Sequence, residues 1–127
     1  MAKSKVCDAP VPAVERPLLS PVQAGGLAAV FKVLANDTRL RLLHALMRDD
    51  ELCVGDLAAM LGMKPQAISN QLQRLSDLGV LMSRRDGNNI YYRLVDVCIR
   101  RLLDDGWCLM DEVNGGASAP RKLGVCR

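Results

Sequence analysis

Aromatic residues are almost missing from this chain: its 127 residues include one Trp, two Tyr and one Phe. A core without rings has to be assembled from Leu, Val, Ala and Met, which suits packed helices better than a sheet sandwich. Histidine is scarcer still. His44 is the only one, and its place in a Leu-rich stretch points to packing, which argues against nickel, cobalt or a His-rich zinc site. A glycine-rich phosphate loop and a nucleophile–base pair are both lacking, which argues against an enzyme. No run of about 18 apolar residues is present, so no membrane span is expected. The start, Met1-Ala2-Lys3-Ser4-Lys5, leads into prolines and not into an apolar stretch, and is not expected to act as a secretory signal. The expected compartment is the cytoplasm, where thiols stay reduced.

What the chain does have is cysteine, five in all. In a reducing compartment these are available for metal or redox chemistry, and an odd number does not fit a simple intrachain disulfide framework. The length suits one domain, and a small helical core gains from dimerisation. The formal net charge of +3 is modest, but it is unevenly spread. Arg74, Arg84, Arg85 and Arg93 cluster in one region, whereas Asp49-Asp50-Glu51 and Asp104-Asp105 lie outside it. The local field matters more for phosphate binding than the sum.

Residues 1–20, which carry Pro10, Pro12 and Pro17 with Pro21 just beyond, read as a flexible arm. Residues 21–113 read as one folded domain, and 114–127 as a flexible tail. The pattern Leu27, Val30, Phe31, Leu34 predicts a helix over 22–34. Asp37 or Thr38 is expected to cap a second helix with Leu40, Leu43, Leu46 and Met47 inward. Val54 to Leu61 predicts a short helix ended by Gly62. Lys64-Pro65 opens another, with Ile68, Leu72, Leu75 and Leu78 inward. Residues 80–85 and 89–94 predict two strands around an Asp-Gly-Asn turn. A last helix is expected over 95–113, with the stripe Val95, Ile99, Leu102, Gly106, Leu109 and Val113.

Short helix, turn, polar-faced helix and basic hairpin in that order predict a mainly α winged helix-turn-helix with a small β-hairpin wing, a device for placing one helix in a DNA major groove. The second helix of the motif turns amides and a hydroxyl away from the core, and amide side chains both donate to and accept from base edges. Gln66, Ser69 and Asn70 are the candidates for the groove, with Gln73 on the same face. Lys64 and Arg74 are placed for phosphates. Arg84, Arg85 and Arg93 flank the wing, with Asn88 at its tip, and suit contacts to the DNA backbone. One short reading helix makes few contacts, so a two-fold dimer on double-stranded operator DNA is expected.

Four words of the sequence resemble the ArsR/SmtB family of metal-responsive winged-helix repressors. They are Leu34-Ala35-Asn36-Asp37-Thr38-Arg39-Leu40-Arg41-Leu42-Leu43, Glu51-Leu52-Cys53-Val54-Gly55-Asp56-Leu57-Ala58, Gln66-Ala67-Ile68-Ser69-Asn70-Gln71-Leu72, and Arg85-Asp86-Gly87 through Tyr91-Tyr92-Arg93-Leu94. The resemblance spans roughly residues 27 to 112. It implies a homodimer, joined through the N-terminal and last helices, that represses an operon for metal resistance, transport or export and leaves DNA when an inducer binds. Many members carry Cys-Val-Cys where this chain has Cys53-Val54-Gly55, so one usual thiolate is missing. Others place a carboxylate and histidine near the start of the last helix and a histidine and carboxylate near its end. Here those regions hold Asp96-Val97-Cys98 and Cys108 with Asp111 and Glu112, with sulfur in place of imidazole.

Cys98 and Cys108 lie about 15 Å apart along one helix, at 1.5 Å per residue, and cannot share an ion within one chain. In a dimer with antiparallel last helices, Cys98 of one subunit faces Cys108 of the other, about Leu103, and symmetry yields two equivalent sites. Ten residues leave the two thiols about 80° apart in azimuth on an ideal helix, a misfit that a bend near Asp104-Asp105-Gly106 would correct. Thiolates without histidine select soft ions: As(III) or Sb(III) by preference, then Hg(II), Cd(II) or Pb(II). A third sulfur is to be sought in Cys53, in Cys7 on the arm, or in Cys126 on the tail. The alternative is a redox or reactive-sulfur repressor in which the same cysteines form a disulfide or persulfide.

Overall fold

A computed structural model of the chain describes residues 11–114. Cys7, Cys126, and most of the expected arm and tail lie outside the described residues. Among residues 11–20, Ala13–Glu15 form a single 3-10 turn that buries nothing.

The first helix, α1, runs Pro21–Leu34. Its start is a capping box. The Ser20 hydroxyl accepts from the Gln23 N–H at 3.1 Å, and Gln23 Oε1 accepts from the Ser20 N–H at 3.0 Å. Pro21 sits at the first helical position, where its missing N–H costs nothing. Helix α2 spans Asp37–Arg48. The cap is Asn36, not the expected Asp37 or Thr38: its extended backbone lets Oδ1 accept from the Arg39 N–H at 3.0 Å.

A strand of two residues, β1, Leu52–Cys53, follows and leads directly into α3, Val54–Leu61. Gly62 ends α3 with φ of +68°, a left-handed position that glycine takes without steric cost. Helix α4 runs Pro65–Asp77. Strands β2, Leu81–Asp86, and β3, Asn89–Leu94, then form the wing hairpin. Asp86 pairs with Asn89, so the tip loop is only Gly87-Asn88, with φ of +67° at Gly87 as a primed two-residue turn requires. The last helix, α5, runs Val97–Asn114. It begins two residues later than expected because Asp96 caps it, its Oδ1 accepting from the Cys98 and Ile99 N–H groups at 2.8 and 3.2 Å.

The sheet has the order β1-β3-β2 and is antiparallel throughout. Strand β1 has no signature in the sequence, since two residues carry no periodicity. Its pairing of Leu52 with Tyr92 and Cys53 with Tyr91 ties the start of the helix-turn-helix to the base of the wing.

The core sits where α2, α3, α4 and the sheet base meet. Leu42, Leu43, Leu46, Leu57, Ile68, Leu72 and Leu75 are fully enclosed there. The buried face of α2 is Leu42, Leu43, Ala45 and Leu46. Leu40, expected inside, is 37% exposed. It lines a cleft of about 460 Å³ between α2 and α5 together with His44, Leu103, Trp107 and Met110. The His44 and Trp107 rings meet edge to face across that cleft at 4.5 Å, so the single histidine has a packing contact.

Helices α1 and α5 behave differently from the rest. Of α1 only Leu34 is buried, and of α5 only Ile99. The expected α5 stripe holds for its first half, where Leu102 also reaches the core. It fails beyond Gly106, where Leu109 is 53% and Val113 is 72% exposed. That half of the helix projects past the core of its own chain.

Candidate functional site

Helices α3 and α4, with the turn Gly62-Met63-Lys64 between them, form the helix-turn-helix. Ile68, Leu72 and Leu75 anchor α4 from below, which turns Gln66, Asn70, Gln73 and Arg74 outward to solvent. Ser69 is half-buried beside them, and Lys64 occupies the position just before the helix. The outward amides are ordered along the helix. Gln66 Nε2 donates to Asn70 Oδ1 at 3.2 Å, and Gln73 Nε2 donates to Asp77 Oδ1 at 3.0 Å. One amide of the same helix is used differently: Gln71 is half-buried, and its Oε1 accepts from Arg39 Nε at 2.7 Å.

In the wing, alternation along the strands separates the arginines. Arg84 shares one face with its cross-strand partner Tyr91, while Arg85 and its partner Ile90 lie on the other. Arg85, Asn88 and Arg93 are exposed. Arg84 is committed within the chain. Its Nε donates to both Glu51 carboxylate oxygens at 3.0 and 2.9 Å, and one terminal nitrogen donates to Oε1 at 2.8 Å. Its guanidinium carbon lies 5.0 Å from the Tyr91 ring centre, and Asp86 stands 3.7 Å away. This bidentate fork clamps the wing to the segment just before β1.

The clamp has an electrostatic signature. Hydrogen bonds from Arg84 hold the Glu51 carboxyl below its ordinary value, with smaller contributions from the charges of Arg84 and Arg93. The same bonds raise Arg84 above its own. A depressed folded-state pKa contributes stability that is complete above the ordinary glutamate value and is lost as pH falls through the lowered one. An NMR titration of the Glu51 side-chain carbon is expected to give a midpoint below the ordinary glutamate value, and Arg84→Gln is expected to move it up. A midpoint indifferent to Arg84 would show that the fork does not persist in solution.

The cysteines divide into two groups. Cys53 is a half-buried free thiol at the edge of the sheet, with its N–H donating to Asp56 Oδ2 at 3.2 Å. A Cβ placed on Gly55 would stand 3.9 Å from Cys53 Sγ, an ordinary contact. The backbone thus still brings residues 53 and 55 together, although only one carries sulfur. Cys98 and Cys108 are both half-buried on α5, and each engages a further group. Cys108 is half-buried although it lies off the expected stripe, whereas its neighbours Trp107, Leu109 and Met110 are exposed. Among the described residues no three His, Cys, Asp or Glu side chains converge as a metal site.

A helix-turn-helix with an outward polar face, followed by a basic hairpin, defines a winged helix-turn-helix DNA-binding protein. Residues 36–83 match the profile of the bacterial regulatory protein, arsR family. The cadmium resistance transcriptional regulatory protein CadC of Listeria innocua is 33% identical over 112 residues, covering 88% of this chain and 83% of its own length. Among solved structures, the AntR antimony-specific transcriptional repressor is 55% identical with a TM-score of 0.72, covering 87% of this chain and 99% of that one. A homodimeric winged helix-turn-helix DNA-binding domain from Mycobacterium bovis is 30% identical with a TM-score of 0.68, covering 84% and 100%. The chain belongs to the ArsR family of DNA-binding transcriptional regulators and is not an enzyme.

Proposed function

We propose that two copies of this chain form a repressor that holds operator DNA through α4 and the wing and releases it when a thiophilic ion binds Cys98 and Cys108. The observation that carries this reading is α5 itself. It projects past its own core, exposes Trp107, Leu109, Met110 and Val113, and yet keeps two cysteines half-buried ten residues apart. An exposed apolar face of this kind calls for a partner. Helix α1 offers a second such face in Val22, Leu27 and Phe31.

In an antiparallel α5 pair, Cys98 of one copy meets Cys108 of the other on either side of the axis. Two thiolates without a histidine favour a soft ion. The likeness to an antimony-specific repressor and to a cadmium resistance regulator supports the same class. Sb(III) and As(III), which prefer three sulfurs, lead Hg(II), Cd(II) and Pb(II). The third sulfur is to be sought among Cys53, Cys7 and Cys126. Gln66, Ser69 and Asn70 would read bases, with Gln73 beside them, while Lys64, Arg74, Arg85, Asn88 and Arg93 would meet the backbone. Arg84 would add to that contact only from within its clamp. The ion must bind the DNA-free arrangement more tightly than the DNA-bound one, since equal affinity shifts nothing.

The test is fluorescence anisotropy on a labelled duplex that the wild-type protein has selected from a random-sequence pool. Sb(III) and As(III) are expected to release the duplex at lower concentration than Zn(II). Release by Zn(II) ahead of both, or by none of the ions, would contradict the reading.

A further inference from the structure

The sequence places Gln71 among the polar residues of α4, but the structure withdraws it from the outward set. Gln71 Oε1 accepts a 2.7 Å hydrogen bond from Arg39 Nε, across 32 residues of chain. A terminal nitrogen of the same guanidinium donates to the Val33 carbonyl oxygen at 2.8 Å. That carbonyl lies in the last turn of α1, where helical carbonyls lack partners within the helix. The Arg39 N–H is itself fixed by the Asn36 cap. One half-buried guanidinium therefore joins the end of α1, the start of α2 and the middle of α4.

We propose that Arg39 is a positioning residue for DNA recognition: by bridging Val33 and Gln71 it sets the rotation of α4, and with it the presentation of Gln66 and Asn70. The proposal rests on the reading that α4 enters DNA. Arginine is required because two N–H groups of a planar fork must point at two separate oxygens, which a lysine ammonium on a flexible stem does not reproduce. Gln71 serves only as an acceptor, so a carboxylate can replace it.

The chemistry supplies a rescue experiment on the full-length chain, read by anisotropy on the selected duplex and accompanied by thermal melts. Gln71→Leu is expected to weaken duplex binding by about tenfold or more, the scale of a lost hydrogen bond to a charged group. Gln71→Glu, which keeps the acceptor and gains charge assistance from Arg39, should stay within a few-fold of wild type. If Gln71 contacted DNA instead, the new carboxylate would meet phosphate and bind worse than leucine. Arg39→Ala should match Gln71→Leu, and the double variant should be no weaker than either single one. The slope of affinity against salt should be unchanged in Arg39→Ala, whereas a lost phosphate contact would lower it by about one. Glutamate binding worse than leucine, or additive losses in the double variant, would overturn the proposal. A wild-type protein that selects no duplex would overturn the DNA reading together with it.

Discussion

Replacing Cys98 with serine is expected to leave duplex affinity within a few-fold of wild type and to abolish release by Sb(III). Serine is nearly the same size as cysteine, and the position is only half-buried at the first turn of α5. Its backbone N–H donates to Asp96 Oδ1, and that hydrogen bond survives the change. What disappears is the sulfur, and a neutral hydroxyl is a poor ligand for a soft ion. Allosteric coupling between two sites is typically about 5- to 150-fold in affinity, and here it should fall to about one. The Cys108→Ser protein should behave alike, since each site would need both thiols. Normal release from Cys98→Ser would move the sensor elsewhere. Release by peroxide in wild type, with no response to Sb(III), would favour the redox reading of the same residues.

Leu72→Ala should have the largest effect on stability. Leu72 is fully enclosed at the centre of α4, facing the α2 and α3 leucines. Removing three buried carbons leaves a cavity that neighbouring helices cannot close, at a cost of about 2–5 kcal/mol. At about 4–8 °C per kcal/mol for a domain of this size, melting should drop by roughly ten degrees or more. The same helix carries the reading face, so duplex binding should weaken at temperatures where the core still holds. A melting shift of about two degrees or less, at matched protein concentration, would mean that α4 is not seated as described.

The parts legible in the sequence are those governed by local rules. The α3–turn–α4 unit announced itself through Gly62, Lys64-Pro65 and the Ile68, Leu72, Leu75 spacing, and the wing through its glycine turn. The parts that are not legible depend on partners distant in the chain. Strand β1 exists only because Leu52 and Cys53 meet Tyr92 and Tyr91 nearly forty positions later. Arg84 looked like a phosphate ligand because its partner Glu51 is 33 residues away. Gln71 reads from the sequence as one more polar residue of α4, because its partner Arg39 lies on another helix. Leu40 follows the periodicity of α2 but faces the cleft to α5, which no single-helix pattern encodes. In the proposed dimer the exposed end of α5 has the same origin: its apolar residues would meet a second copy of the chain. Cys98 and Cys108 are identifiable as residues, whereas the pairing proposed for them would depend on that second copy.

Mixed dimers test the pairing most directly. A dimer of one Cys98→Ser chain and one Cys108→Ser chain, joined through orthogonal affinity tags, contains one position with both thiols and one with neither, if each site spans two subunits. The account predicts that this mixed dimer binds one Sb(III) at a wild-type-like affinity and regains release from the selected duplex, while both parent homodimers bind none there and remain on DNA. A mixed dimer as unresponsive as its parents would contradict a shared site between the last helices.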